Sequence, residues 1–264
     1  MDRNYIDINR KLWNARTLIH FDSDFYGVKD FIEGGSSLQN IELERLGNIK
    51  GKKVLHLQCH FGQDSISLSR MGAKVTAVDL SDEAIKRAEQ LAKDCGQDVR
   101  FICCDLYDLP NQLYDSFDLV FTSYGVIGWL PDLNRWAAVV SHFLKPRGQL
   151  LLVEFHPFVW AFDPDFTHIQ YDYFNRETIV ETETGTYTDR QAPIELQSVC
   201  WNHPTSELLN SLIKEGLTIT AFDEFDYSPY NCFNKTVACG ENKYRIEHLG
   251  NKIPMVFAVS ASKS

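Results

Sequence analysis

The chain reads as an α/β fold: a doubly wound seven-stranded sheet, mostly parallel with one reversed strand, plus a β-rich insertion. Three observations predict it. From about residue 50, short β-rich runs alternate with amphipathic helical runs, the pattern of a parallel sheet covered by helices. That rhythm fails after residue 155, where Tyr, Phe, Thr and Glu dominate residues 166–195 without helical periodicity. Two strand-like runs near the end have no strong helix between them, so antiparallel pairing is expected and would put one reversed strand into the sheet.

Taken in order, residues 53–58 (KVLHLQ) form the first strand, and residues 63–71 a helix ended by Gly72. Residues 74–79 (KVTAVD) form the second strand; Ser81 then N-caps a helix whose Asp82 and Glu83 favour the positive end of its dipole. Ala84, Ile85, Ala88, Leu91 and Ala92 give that helix one apolar stripe, and Gly96 ends it. Residues 99–104 and 117–123 supply strands three and four, with an acidic stretch between them. Asp132 caps a helix carrying Leu133, Trp136, Val139, Val140 and Phe143, and Pro146-Arg147-Gly148 breaks it before strand five at 149–155. Within the insertion, residues 182–188 alternate about Gly185 like an exposed hairpin. Pro204-Thr205 opens a helix that runs to Lys214 and is closed by Gly216; residues 217–227 and 254–262 are strands six and seven.

At 264 residues the chain exceeds the usual size of one domain, ~150 residues. A hydrophobic content of 44% is ample for a large core, which excludes disorder. The formal charge of −10 repels a phosphate backbone, so no nucleic acid partner is expected. No apolar run reaches the ~20 residues of a membrane span, and the first residues do not read as a signal peptide; no membrane partner and a cytoplasmic location are expected. Seven cysteines, an odd count without a CxxC pair, fit a reducing compartment and buried free thiols, with no metal.

In such sheets ligands bind at the carboxyl ends of the strands. Strand one runs into Gln58-Cys59-His60-Phe61-Gly62 and then a helix whose N-terminal amides can face a ligand. Strand two ends in Asp79, 17 positions after Gly62, where an acid that takes both ribose hydroxyls belongs. These features alone suit a nicotinamide or an S-adenosyl ligand. A nicotinamide-dependent oxidoreductase is disfavoured by the missing G-x-G-x-x-G.

Further motifs separate the two. Cys104-Asp105-Leu106-Tyr107-Asp108-Leu109-Pro110, Phe117-Asp118-Leu119-Val120 and Leu144-Lys145-Pro146-Arg147-Gly148 resemble the successive motifs of Rossmann-like class I S-adenosylmethionine-dependent methyltransferases. Leu55-His56-Leu57-Gln58-Cys59-His60-Phe61-Gly62, Val153-Glu154-Phe155-His156-Pro157 and Trp201-Asn202-His203-Pro204 resemble a bacterial small-molecule branch of that family along the whole chain. The resemblance implies S-adenosylmethionine as cofactor and a small-molecule acceptor. It implies that Asp79 binds the ribose diol, that Leu80 lies against the adenine, and that Asp105 and Leu106 take the adenine amino group and ring edge. Where the family has an acid and three glycines in the first loop, this chain has His56, Gln58, His60 and Gly62 alone. Gln58 and His60 are therefore expected either to point away or to replace backbone contacts with side-chain ones, with Cys59, Gly62, Gln63 and Ser123 also lining the cofactor. A non-catalytic S-adenosyl binder or sensor stays open as the alternative.

Methyl transfer from a sulfonium is an in-line displacement that asks for alignment and exclusion of water. Tyr124, after strand four, is the candidate to orient an acceptor or to act as a base; His156 and His203 are candidate general bases, and Trp129 is assigned to the core. His56, Gln58 and His60 share a strand parity, but two histidines without a third ligand in reach give no metal site. The N-terminal segment, with Trp13, Arg16 and His20, is expected either to close over the cofactor as a lid or to pack as an ordinary helix. The expected organisation is one domain over 1–264: a helical lid (1–50), a cofactor-binding core (50–155), a β-rich insertion (156–203), and a last helix with the final strands (204–264). The oligomeric state is not readable.

Overall fold

In the computed structural model, residues 4–264 are described. Three helices precede the sheet: α1 (Asn4–Phe21), α2 (Val28–Ile32) and α3 (Asn40–Leu46). Strands and helices then alternate as β1 (Lys53–Leu57), α4 (Gln63–Arg70), β2 (Lys74–Asp79), α5 (Asp82–Asp94), β3 (Val99–Cys103), β4 (Phe117–Ser123), α6 (Leu133–Phe143) and β5 (Leu144–Phe155). The insertion holds β6 (Ile179–Thr184) and β7 (Glu195–Cys200), followed by α7 (Thr205–Lys214), β8 (Leu217–Phe225), β9 (Thr236–Gly240), β10 (Lys243–Ile246) and β11 (Val256–Lys263).

The main sheet has the order β3-β2-β1-β4-β5-β11-β8, with β11 antiparallel to both β5 and β8. The expected single reversed strand is therefore the last one, inserted between the fifth and the eighth. Strand order reverses at β1 and β4, whose carboxyl ends open the crevice where ligands bind in doubly wound sheets. Both faces are buried, and side chains alternate between them with the period of two of a strand. Leu55, Leu57, Val120, Leu150, Leu152, Phe257 and Val259 pack against α6 and α7 through Trp136, Phe143, Leu208 and Leu212. Val54, Phe121, Leu151, Val153 and Val256 face the other way, against Leu38, Ile41, Leu46 and Met255.

The insertion is less strand-rich than its composition suggests. β6 and β7 pair antiparallel, but much of 156–178 is irregular, pinned by an isolated bridge between Phe162 and Ile169. A second hairpin, β9–β10, lies where no strands are expected; β9 is exposed along most of its length and shows no alternation. Among the described residues no helix is long and apolar enough to cross a membrane.

Candidate active site

Between β1 and α4 the chain keeps the path of a glycine loop with few glycines. Gln58, His60 and Gly62 all have positive φ, at 56°, 51° and 81°. Each of the two non-glycine residues costs about 1–3 kcal/mol in this region. Specific bonds offset the cost: the His60 amide donates to Asp79 Oδ2 at 2.8 Å, and Gln58 Nε2 donates to the Val126 carbonyl at 2.8 Å. Gly62 has no such freedom to change, because a Cβ there would lie 2.9 Å from the Phe101 ring and 3.0 Å from Ala88. The Cys59 side chain is buried with Ala77 and Ile85 beneath the loop, its thiol donating to the His60 carbonyl at 3.5 Å, and burial pushes that thiol up.

Asp79 ends β2 beside this loop. One oxygen accepts from the His60 amide and the other from the Ser81 amide at 2.9 Å, and a carboxylate with one such bond on each oxygen keeps acceptor capacity on both. Burial raises its pKa, and the amides of Ser81, His60 and Leu80 oppose the rise. Leu80 is half-buried next to it, and its carbonyl accepts from Arg10 Nε at 3.4 Å. At the end of β3, Asp105 caps a short 3-10 helix, accepting from the Tyr107 amide at 3.1 Å, while Leu106 is buried.

Helix α1 crosses this end of the sheet. Asn14 bridges to Asp82 at 2.8 Å and to Ser81 at 2.6 Å, and Asn9 exchanges two hydrogen bonds with the Val199 backbone of β7. The Trp13 ring stands edge-on to His60 and to Trp129, each at 5.3 Å between centroids. Arg16 pairs with Glu183 of β6 and lies over both Trp13 and Trp129. Trp129 is thus half-buried at the site and is not part of the core, because α1 supplies the aromatic partner that keeps it there. His20 and His60 meet at 3.0 Å between Nδ1 and Nε2, and burial holds them neutral, lowered to about 2 and about 3. Tyr187, from the insertion, reaches His20 and shares a hydrogen bond with Tyr26, whose carbonyl accepts from Gln63 Nε2 at 2.8 Å.

Four polar atoms in this cluster are buried without a partner: Arg16 Nε, His20 Nε2, His60 Nδ1 and Gln58 Oε1. Such groups are costly and call for an explanation. In either tautomer of the His20–His60 pair, the two outward nitrogens are one donor and one acceptor. With Arg16 and Gln58 the cluster therefore offers two donors and two acceptors, the set that matches a zwitterion carrying a carboxylate and an ammonium group.

The end of β4 forms the adjoining wall. Buried Glu154 accepts from the backbone amides of Gly125, Val126, Ile127 and Phe155, which fixes the loop and holds Tyr124 at φ 48°. The Tyr124 hydroxyl donates to Glu42 Oε2 of α3 at 2.8 Å, and Ser123 Oγ donates to Asp64 at 2.8 Å. Burial and the neighbouring Glu42 and Tyr230 raise the Tyr124 phenol well above its ordinary value. The phenol is thus shifted up, opposite to the direction that a base at this position needs.

His156 and His203 are engaged on both ring nitrogens. His156 Nδ1 accepts from the Phe158 amide at 3.1 Å, which places its proton on Nε2, 2.9 Å from Glu224 of β8. His203 lies 2.7 Å from the Leu130 carbonyl and 3.1 Å from Glu207. His156 joins the end of β5 to β8, and His203 joins the loop after β4 to α7. His156→Ala is therefore expected to lower the melting temperature while leaving cofactor affinity within about twofold, read by thermal melts and calorimetry. Glu42, Glu154 and Tyr187 are the site residues that sequence reasoning misses. Only Glu154 leaves a signal, as a lone acid in the apolar strand LLLVEF.

A family described as a methyltransferase domain matches residues 54–148. A ubiquinone biosynthesis O-methyltransferase of Idiomarina loihiensis is 32% identical over 120 residues, 43% of this chain and 49% of that one, so the chain spans about half the length of that curated relative. An uncharacterized methyltransferase of Synechocystis sp. is 32% identical over 164 residues, 60% of this chain and 74% of that one. Among solved structures, a putative S-adenosylmethionine-dependent methyltransferase from Listeria monocytogenes superposes with a TM-score of 0.60 at 20% identity, covering 85% of this chain and 96% of that one. The chain belongs to the class I S-adenosylmethionine-dependent methyltransferases.

Proposed function

We propose that the protein binds S-adenosylmethionine across the carboxyl ends of β1, β2 and β3 and transfers its methyl group to a small-molecule acceptor. The four unpartnered buried polar atoms around the first loop carry this reading, because they match the amino acid end of that cofactor. When bound, S-adenosylmethionine supplies an electrophilic methyl carbon on a sulfonium. Asp79 takes the ribose hydroxyls with its remaining acceptor capacity; charge-assisted bonds of this kind are the strong ones. Leu80, Asp105 and Leu106 hold the adenine. Gln58, His60, His20 and Arg16 hold the carboxylate and ammonium groups, with side chains doing what backbone does in a glycine-rich loop. Cys59 and Gly62 contribute main chain, Gln63 anchors the segment at Tyr26, and Ser123 keeps the helix-start Asp64 in place.

Helix α1, with Trp13, and the β6–β7 hairpin, with Tyr187, act as the lid that excludes water. Tyr124, held by Glu42, presents its phenol oxygen to orient the acceptor. Arg16→Met keeps an aliphatic stem against Trp13 and Trp129 but removes the guanidinium. It is expected to raise the dissociation constant for S-adenosylhomocysteine about tenfold. An unchanged constant in calorimetry would take the lid out of cofactor binding. The function itself is tested by incubating the enzyme with methyl-labelled S-adenosylmethionine and a bacterial metabolite extract: label should enter small molecules, and Asp79→Ala should abolish the transfer.

A further inference from the structure

Beside the lid lies a cavity of about 510 Å³ lined by Tyr187 and Arg190 of the insertion, Asn231, Phe233 and Lys235 of the β8–β9 connection, and Asp165 near its rim. Its volume lies within the range of ordinary small-molecule sites. One wall, Tyr187, is shared with the site already described, and a second, Phe233, is linked to it through Phe155. The Tyr187 ring is 4.6 Å from His20 between centroids, and its hydroxyl is 2.5 Å from that of Tyr26. The Phe233 ring is 5.1 Å from Phe155, itself 5.6 Å from Tyr124. The Phe233 and Phe155 rings therefore lie between the cavity and Tyr124, and the Tyr187 ring lies between it and His20.

Its charge is opposite to that of the protein. The chain carries a formal charge of −10, yet this cavity presents Arg190 and Lys235 against one acid, Asp165, which already accepts from Asn234 Nδ2 at 3.0 Å. Among the described residues, neither Arg190 nor Lys235 is in an ion pair, although Arg16, Arg45 and Arg245 all are. Both cations are exposed at the mouth of the cavity, and local structure fixes the main chain that carries them. The turn before Arg190 is closed so tightly that a Cβ on Gly185 would sit 2.5 Å from the Arg190 carbonyl oxygen, and Arg190 Nη2 reaches the Cys232 carbonyl at 3.5 Å. Lys235 stands at a left-handed position, φ 56°, in a loop whose Thr236 hydroxyl bonds to Asn231.

We propose that this cavity binds the methyl acceptor and that the acceptor is a small organic anion. Its carboxylate or phosphate group lies between Arg190 and Lys235, with Asn231 and Asn234 bonding to neighbouring oxygens. The assignment rests on the methyl-transfer reading and names its substrate class. A guanidinium recognises either anion through paired N–H donors, and a nearby ammonium adds a second charge. Because this group anchors the acceptor, the atom that attacks the methyl group is another one, directed past Tyr187 and Phe233 toward Tyr124. The nucleophile's lone pair forms the bond to the methyl carbon as the carbon–sulfur bond breaks, the sulfonium leaves as a neutral thioether, the nucleophile's proton passes to solvent, and the anchoring charge survives in the product.

The test uses full-length protein, tritiated-methyl S-adenosylmethionine and a bacterial metabolite extract, with the products resolved on an anion exchanger. Label is expected in the retained fraction, and an Arg190→Ser, Lys235→Ser double variant should lose at least about tenfold of it. The same variant should bind S-adenosylhomocysteine as the wild type does, which shows that it is folded. Phosphatase treatment of the labelled product separates the two sources of charge: release from the exchanger means a phosphate monoester, and continued retention means a carboxylate. Label only in the unretained fraction, or retained label indifferent to the double variant, would overturn the acceptor assignment while leaving methyl transfer intact. No label in either fraction would overturn both.

Discussion

Asp79→Ala is expected to raise the dissociation constant for S-adenosylhomocysteine by about two orders of magnitude and to lower stability by a few kcal/mol. The first effect follows from losing the acceptor for two hydroxyls at once, each hydrogen bond to a charged group contributing about 1.5–3 kcal/mol. The second follows from the carboxylate's place between two loops. Without it, the amides of His60 and Ser81 lose their acceptor, and His60 loses the bond that holds it at φ 51°. Calorimetry gives the affinity and chemical denaturation the stability. Wild-type affinity in a folded Asp79→Ala protein would remove the residue from the cofactor site.

Glu42→Gln is expected to make the protein more stable than the wild type above about pH 8 and to flatten its stability between about pH 4.5 and 8. Burial, with the Asp64 charge adding to it, raises the Glu42 carboxyl from its ordinary 4.5 to about 8; the Gln39 amide and the Tyr124 hydroxyl pull the other way. A carboxyl with a higher pKa in the fold than in the unfolded chain binds its proton more tightly there. Its contribution is complete below about pH 4.5 and is lost as the pH rises to about 8. At about 1.4 kcal/mol per unit, the loss is on the order of a few kcal/mol. Glutamine copies the protonated form, its oxygen accepting from Gln39 and its amide facing Tyr124. The buried histidines run in the opposite sense: His20, His56 and His60 are lowered to about 2, 4 and 3, so their contribution is lost as the pH falls below about 6.5. The difference between wild type and variant isolates Glu42, and denaturant melts from acid to alkaline pH measure it. Parallel curves would show that the Glu42 carboxyl titrates alike in the fold and in the unfolded chain.

What could be read from the sequence divides along physical lines. Period-two strands buried on both faces and helices with one apolar stripe leave a local signature, so the sheet, its reversed last strand and the loops at its crevice were all legible. The position of Asp79 at the end of β2 was legible because the strand that ends there sets it. Glu42, Tyr187 and Trp129 were not, because each acts through a partner distant in sequence: Tyr124, His20 and Trp13 respectively. The first loop shows the same limit. Sequence shows that glycines are missing at 58 and 60, but only the fold shows that the left-handed backbone is retained and that both side chains carry a buried polar atom without a partner. That both ring nitrogens of His156 and of His203 are already bonded likewise depends, for each, on a partner distant in sequence, Glu224 and Leu130 respectively.

The central claim is that the loop after β1, the acid ending β2 and helix α1 together form an S-adenosyl site. Titrating S-adenosylmethionine into the wild-type protein by calorimetry, with a parallel thermal melt, tests it most directly. The account predicts saturable heat for one molecule per chain and a rise in melting temperature. No heat and no thermal shift at millimolar cofactor would contradict it.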